Sequence, residues 1–397
     1  MIAPDPPTTL PRESRDWRML LTARRRRPIT LIAEGSIFLV SQTAIAVILL
    51  IFLFVAREAF PIFTGSLSSA AIPAGPPIDP NAIDTLKPEE IRRYLGLSES
   101  EFTSLDRSSI LEILTVRREA YAAAGGDPDA SHNTLNWKYL FAPHQWSDYT
   151  QPVYIWQPVS QIHKYNVVPL LVGTLKIALV ALLLAVPVAL GSAIHVSQLA
   201  SARTKRWIKP AVELLSSVPS VVLGAFAAVV LASALQSMLG YTYRLNAFLA
   251  GLALAIACIP VIFSIAEDAL SFVPRTYTDA AIALGATRWQ ATTGIVVPAA
   301  AQGLAAAVIL GFGRCLGETM VVLIASGNAA LLSSSLFDPA RTLTATIAAE
   351  LGETVIGGHH YRMLFFIGTL LLLISFLTHA AAYWVLSRLR MRFEGAP

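Results

Sequence analysis

Charge is what this sequence has least of. Only 14% of its 397 residues are Asp, Glu, Lys or Arg, against about a quarter in soluble domains. Hydrophobic residues make up 54%, and the mean hydropathy is +0.58. That balance excludes an ordinary water-soluble globule. Cysteine is almost absent too. Its two copies, Cys258 and Cys315, lie inside apolar runs, so neither a disulfide framework nor a Cys-rich metal centre is indicated. No Gly-Lys pair occurs anywhere, which excludes a phosphate loop of the Gly-Lys-Ser/Thr kind. There is no internal repeat and no low-complexity tract. His195 and His379 lack neighbouring ligand types and read as structural, and neither a metal nor a cofactor is expected.

What is present comes in long apolar blocks. Charge-free runs cover Ile37–Val55, Ile177–Ala202, Leu214–Tyr243, Leu245–Ala266, Gln290–Gly313 and Met363–Leu386. At ~1.5 Å rise per residue each can carry a helix across a ~30 Å hydrocarbon layer. The expectation is an all-α integral membrane protein of six spans. A seventh run, Thr319–Phe337, contains Gly327, Asn328 and a Ser333–Ser335 cluster, which suit the end of a span and a bent outer segment. The first run starts too late and runs too long for a cleaved leader, and is read as a retained anchor.

Basic residues orient the spans. Arg24–Arg27 precede the first, Arg203, Lys205, Arg206 and Lys209 follow the second, and Arg388, Arg390 and Arg392 follow the last. Six spans put all three clusters on one side, cytoplasmic by the positive-inside rule. The net charge of +4 therefore reports topology in a lipid membrane, and no nucleic-acid partner is expected. The chain divides into a basic cytoplasmic N-terminus (1–30), a first span (31–56), an extracytoplasmic insertion (57–166), a five-span core (167–393) with a cytoplasmic connection at 271–298, and a short tail (394–397). The insertion opens on a loop with Pro73, Gly75, Pro76, Pro77 and Pro80. Pro88 opens a short helix and Gly96 closes it, and Ile110, Leu111, Leu114 and Tyr121 form a one-sided stripe ending at Gly125–Gly126. Two readings stay open for it: a docking element for an extracytoplasmic partner, or a cover over the outer mouth.

The cytoplasmic connection reads SFVPRTYTDAAIALGATRWQATTGIVVPAA. A short helix starting near Thr278 would put the small Ala280 and Ala281 on its surface, where another protein could approach closely. Gly285 suits the tight turn that follows. Thr287 can cap a second helix, and Pro298 is tolerated in the first turn of the next span. A rigid helix-turn-helix below the membrane results.

Asp279, Ala280 and Ala281, then Gly285, then Ile295 and Pro298 keep the spacing of the EAA loop of ABC importer permeases, with Asp279 for Glu and Val297 for Leu. The chain resembles that family, whose loop docks into a groove of a cytoplasmic ATPase. Further blocks, VELLSSVPSVVLG (212–224), LALAIACIPVIFSIAEDAL (252–270), GRCLGETM (313–320) and SLFDPARTLTATIAAELGE (335–353), resemble the C-type permease of phosphate importers. The resemblance covers about 30–65 and 153–393, and the insertion near 66–150 departs from it. It implies the six-span, type I (MetI-like) permease fold. The partners it implies are a second homologous permease subunit, a cytoplasmic ATPase dimer and a soluble extracytoplasmic phosphate-binding protein. The chain would not itself be an enzyme.

GFGRCLGETM (311–320) places two charges inside an apolar stretch. With the fifth span starting near Pro298, Arg314 would lie ~24 Å along it. Glu318, one helical turn on, could pair with it. The pair could hold an anion in transit or merely lock the bundle, and the resemblance favours the pathway. Lys176 could line the same path or snorkel to the outer interface. Arg341 could draw anions to the mouth beside Thr342, Thr344 and Thr346, or pair with Asp338 in a loop. Pro187, Pro219 and Pro260 would kink the second, third and fourth spans. The function implied is inward translocation of inorganic phosphate. The alternatives are another oxyanion (phosphonate, molybdate or sulfate) and a membrane phosphate sensor with little flux.

Overall fold

The computed structural model describes residues 28–69, 78–80, 83, 86–95, 99–123, 129, 132–160 and 162–393. Arg24–Arg27, Pro73, Gly75, Pro76, Pro77, Gly96, Gly125–Gly126 and the 394–397 tail lie outside the described residues. The chain forms two units, divided between Phe54 and Val55.

Helix α1 spans Pro28–Phe63. Its stretch from Ala44 to Phe54 is apolar on every side and exposed throughout. A helix without a polar face is one whose solvent is lipid.

From Val55 onward the insertion has two parts. The first packs α2 (Pro88–Leu95), α3 (Glu99–Ser104) and α4 (Arg107–Ala123) around Ile91, Leu95 and Leu114. Pro88 is the first residue of α2, where its missing N–H costs nothing. The Arg117 guanidinium covers the carbonyls of Tyr94 and Leu95 at 2.9 and 3.0 Å, satisfying acceptors that the end of α2 leaves over. The second part holds α5 (Trp137–Phe141), capped by Asn136, and a two-stranded antiparallel ribbon, β1 (Trp156–Gln157) with β2 (Lys164–Tyr165). It buries Leu135, Leu140, Trp156 and Tyr165 together with Ala59, Ile62, Met363, Phe366 and Ile367. Residues 132–167 thus form a cap rooted on the membrane helices.

The bundle comprises α6 (Val168–Leu199), the short α7 (Ala202–Ser216), α8 (Ser220–Leu239) and α9 (Ala247–Ser271). After a connection holding α10 (Arg275–Ala283) and α11 (Arg288–Ala299) come α12 (Ala301–Gly317), α13 (Met320–Ala325), α14 (Leu343–Glu350) and α15 (His359–Phe393). Ser201 caps α7 and Asn246 caps α9, while Gly240 closes α8 in the left-handed region at φ +69°. Ala178, Ala181, Ala185, Ala189 and Ala193 recur at three- and four-residue spacing and are all buried in one cluster with Ala250, Ala253 and Ala255 of α9. Small side chains let helix backbones approach where lipid offers no hydrophobic drive for association. Gly251 marks a close approach of α9 to α6: a Cβ there would lie 2.5 Å from Val180 Cγ1.

Among the described residues, five helices are long and apolar enough to cross a membrane. A sixth span follows if the pair Arg288–Ala299 and Ala301–Gly317, bent by 69°, is counted as one. Several boundaries differ from the charge-free runs. The second span begins at Val168, before Lys176, because the ammonium finds carbonyl partners instead of ending the helix. The fourth runs to Ser271 past Glu267, which is buried but paired with Lys209 at 2.8 Å. Pro219 stands at the N-cap position ahead of α8 and so starts that span rather than kinking it. Pro187 and Pro260 do lie inside their helices.

Candidate coupling and translocation site

Below the bundle, Pro274 stands just ahead of α10 (Arg275–Ala283). The helix ends because Gly285 turns at φ +91°, a conformation a Cβ would strain, and Ala286 N–H returns to the Ala281 carbonyl at 3.0 Å. Thr287 then caps α11 (Arg288–Ala299) in a full capping box with Gln290. A π-turn at Thr292–Val296 precedes Pro298, and the chain swings 69° at Ala300 into α12. A capped hairpin is therefore joined to a membrane helix through one sharp bend.

Asp279 and Ala280 face solvent, as do Gly285 and Ile295, while Pro298 is half-buried. Ala281 differs from expectation. It is buried against its own hairpin, because its neighbour Ala280 already takes the outward position. The outer surface is completed by residues that the motif does not specify: Tyr277, Leu284 and Trp289, 52%, 91% and 59% exposed. Exposed aromatic and apolar side chains grouped on one polar hairpin are the composition of a protein-docking patch. Their signal in the sequence was the presence of large apolar residues where a solvated loop needs none.

At the far end of α12 the expected intrahelical pair does not form. The helix stops at Gly317, and Glu318 is extended at φ −71°, ψ 131°. Among the described residues no ion pair joins Arg314 to Glu318. Gly311, Gly313 and Gly317 weaken the last turns, and the Thr344 hydroxyl donates to the Glu318 carbonyl at 2.9 Å, serving the backbone where the helix opens. The span resumes as α13. Irregular backbone at membrane depth survives only where protein or a polar cavity satisfies it. Here the start of α14 does so. Thr342 caps that helix, Thr342 and Thr344 hydroxyls lie 3.1 Å apart, and Thr174 accepts the Leu343 N–H at 3.1 Å. Arg314 sits ~20 Å along α12 by helical rise, exposed, one turn before the break. Gly313 beside it gives room for the His379 ring, which would lie 3.1 Å from an added Cβ.

The other two candidate cations stay with the outer segment. Lys176 donates to the carbonyls of Ser333 and of Ser335, the latter at 2.9 Å, so its charge is held by loop carbonyls. Arg341 does not pair with Asp338, whose carboxylate takes the Ser333 hydroxyl. Its guanidinium binds Glu350 and the carbonyl and side-chain oxygens of Asn328. Glu350 also accepts from Trp156 Nε1 at 3.1 Å and faces His360 at 3.3 Å. The structure therefore sets the α14 threonines at the Glu318 backbone and Lys176 against the Ser333–Ser335 loop, not all four charges at one point. Cys258 and Cys315, separate in sequence, meet as thiols 2.9 Å apart in the core.

Residues 185–391, which include the hairpin, the bend and Arg314, match the family of the binding-protein-dependent transport system inner membrane component. The chain belongs to that family. As an ABC importer permease it is a multi-pass membrane component working with an ATPase and further subunits. It is 35% identical over 256 residues to the "Phosphate transport system permease protein PstC" of Mesorhizobium japonicum, covering 60% of this chain and 77% of that one. It is 34% identical to the "Probable ABC transporter permease protein YqgH" of Bacillus subtilis, covering 56% and 72%. A PstC protein of Haemophilus influenzae is 35% identical, with 55% and 75% covered. In this permease the insertion at 57–166 lies entirely ahead of the matched residues.

Proposed function

We propose that this chain is one of two membrane subunits of an ATP-driven importer of inorganic phosphate, and that Arg314 lies on the anion's path. Its relatives bear that substrate in their names. The observation carrying the proposal is the exposed guanidinium at membrane depth. An arginine facing lipid there costs at least ~2.5 kcal/mol, so its face belongs against a second permease and a polar passage between the two. A planar guanidinium suits tetrahedral oxyanions. Not tied to Glu318, Arg314 has no competing carboxylate to release before it meets an anion.

ATP hydrolysis takes place in a separate subunit pair, since this sequence has no Gly-Lys pair. Closure of those ATPases pushes on Ala280, Tyr277, Leu284 and Trp289. The capped hairpin transmits the displacement through the bend at Ala300 to α12, whose other end carries Arg314. ATP shifts the inward and outward states only as far as it distinguishes them. The termini and hairpin are cytoplasmic. The insertion faces outward, where the soluble phosphate-binding protein delivers its cargo.

In proteoliposomes containing the assembled complex, Arg314→Gln is expected to cut ATP-dependent labelled-phosphate uptake at least tenfold while subunit stoichiometry stays unchanged. Uptake at the wild-type rate would remove Arg314 from the pathway. Competition by molybdate, sulfate or phosphonate at equal concentration would reassign the cargo. ATP-dependent flux separates a transporter from a sensor.

A further inference from the structure

Three residues of the outer insertion converge in a way that neither transport nor coupling uses. Asp129 follows α4, His132 begins the cap, and His144 stands beyond α5, held by reciprocal backbone hydrogen bonds with Val153 at 3.2 and 3.0 Å. The Asp129 side chain is only 7% exposed. Its Oδ2 accepts the Ser147 backbone N–H at 2.6 Å, which turns Oδ1 toward both rings. His132 Nδ1 is 3.2 Å from Oδ1 and His144 Nε2 is 3.8 Å from it. Both ring nitrogens are buried, yet neither makes a hydrogen bond. His132 stands at ion-pair distance from the carboxylate, and His144 lies beyond hydrogen-bond reach of it. Buried polar atoms without partners call for a specific explanation.

A shared cation supplies it. We propose that Asp129, His132 and His144 form a binding site for a divalent cation of the zinc class. The three ligand atoms lie within 4.8 Å of one another. A tetrahedral zinc with bonds of ~2.0–2.1 Å sets its ligand atoms ~3.3–3.5 Å apart, so two edges are already near that length and the third closes by a small ring rotation. Two imidazoles and one carboxylate favour zinc over calcium or magnesium, which prefer all-oxygen cages. The surroundings resemble an outer coordination shell: Ser147 fixes the carboxylate, and Tyr139 and Trp146 flank the His144 ring at 4.9 and 4.7 Å. Three protein ligands leave a fourth position for water or another oxygen.

The placement assigns the cation a job. Asn133 and Thr134, next to His132, bind Ser69 at the exit of α1, and Leu135 and Leu140 are buried with Phe366. The cap is thereby rooted in the membrane helices. A cation shared with Asp129 would staple the end of the segment carrying α2 to α4 onto that root. This inference does not depend on the phosphate reading.

The test uses the full-length chain in detergent, carrying a histidine-free tag and stripped with chelator. Titration with Zn²⁺ against a chromophoric competitor should show one equivalent bound per chain. The double variant H132Q/H144Q should lose it or bind at least tenfold more weakly. Amide exchange across 132–147 should slow on adding Zn²⁺ in the wild type and not in the variant. Absence of stoichiometric zinc in the wild type, an equivalent kept by the double variant, or exchange indifferent to zinc would each overturn the site. If the double variant fails to fold, the wild-type titration and exchange decide alone.

Discussion

In the bundle, half of the buried cluster is alanine and Phe263 is the one aromatic among its fully buried described residues; in the cap at 132–167 and the helices it packs on, Trp156, Tyr165 and Phe366 are buried with a single alanine, Ala59. The contrast follows from what each part is dissolved in. Helices in lipid gain nothing from hiding apolar surface from their solvent, so they gain by close approach, and small side chains permit it. The cap gains by removing large rings from water. Stability in the first rests on contact distance, and in the second on volume.

Removing volume should therefore hurt the cap most. Phe366 is 1% exposed and its ring lies 5.0 Å from Phe63 and 5.9 Å from Trp137. Phe366→Ala is expected to lower unfolding free energy by about 3–5 kcal/mol, read as a fall in Tm in detergent. A loss below 1 kcal/mol would mean that the cap does not rest on aromatic burial. Adding volume should hurt the bundle. Gly251→Ala places a methyl 2.5 Å from Val180 Cγ1 and 3.3 Å from the Ile177 carbonyl, and about 1–3 kcal/mol should be lost to overpacking. If the added methyl stabilised the chain, close approach would not be the organising rule.

The smallest effect belongs at the bundle's polar rim. Lys209 of α7 binds Glu267 of α9 at 2.8 Å, with the lysine side chain 47% exposed. Exposure screens such a pair, so Lys209→Met should cost about 1 kcal/mol or less. The hydrogen bond to Glu267 raises the lysine above its ordinary 10.5 in the folded chain. Its contribution is then whole below that ordinary value and lost only as pH climbs through the raised one. The Tm difference between wild type and K209M should accordingly be the same at pH 6 and pH 9. A difference that grows between those values would assign the pair another role.

The spans were legible because charge is rare in them, but not the partners that satisfy the charges they do contain. Lys176 and Glu267 interrupt the charge-free runs without ending their helices, and a sequence does not display the Ser335 carbonyl or the Lys209 ammonium that accommodates them. Breaks within apolar runs were hidden for the opposite reason. Glu318 reads as helical by spacing from Arg314, and only the Thr344 hydroxyl, 26 residues on, shows why the backbone can open there. The turn at Gly285 and the cap at Thr287 were legible because both are local chemistry. Ala281 was misread because periodicity alone does not say which face of a short helix its own hairpin covers. Asp129, His132 and His144 carried no visible signal, for the cap's fold, not their spacing, brings them together.

The thiols of Cys258 and Cys315 are 0% and 4% exposed and face each other. Water-soluble maleimides should leave both untouched. A cysteine introduced anywhere on the Arg314 face can then be labelled in an otherwise native background, and its rate of modification with and without nucleotide would chart when that face opens to water.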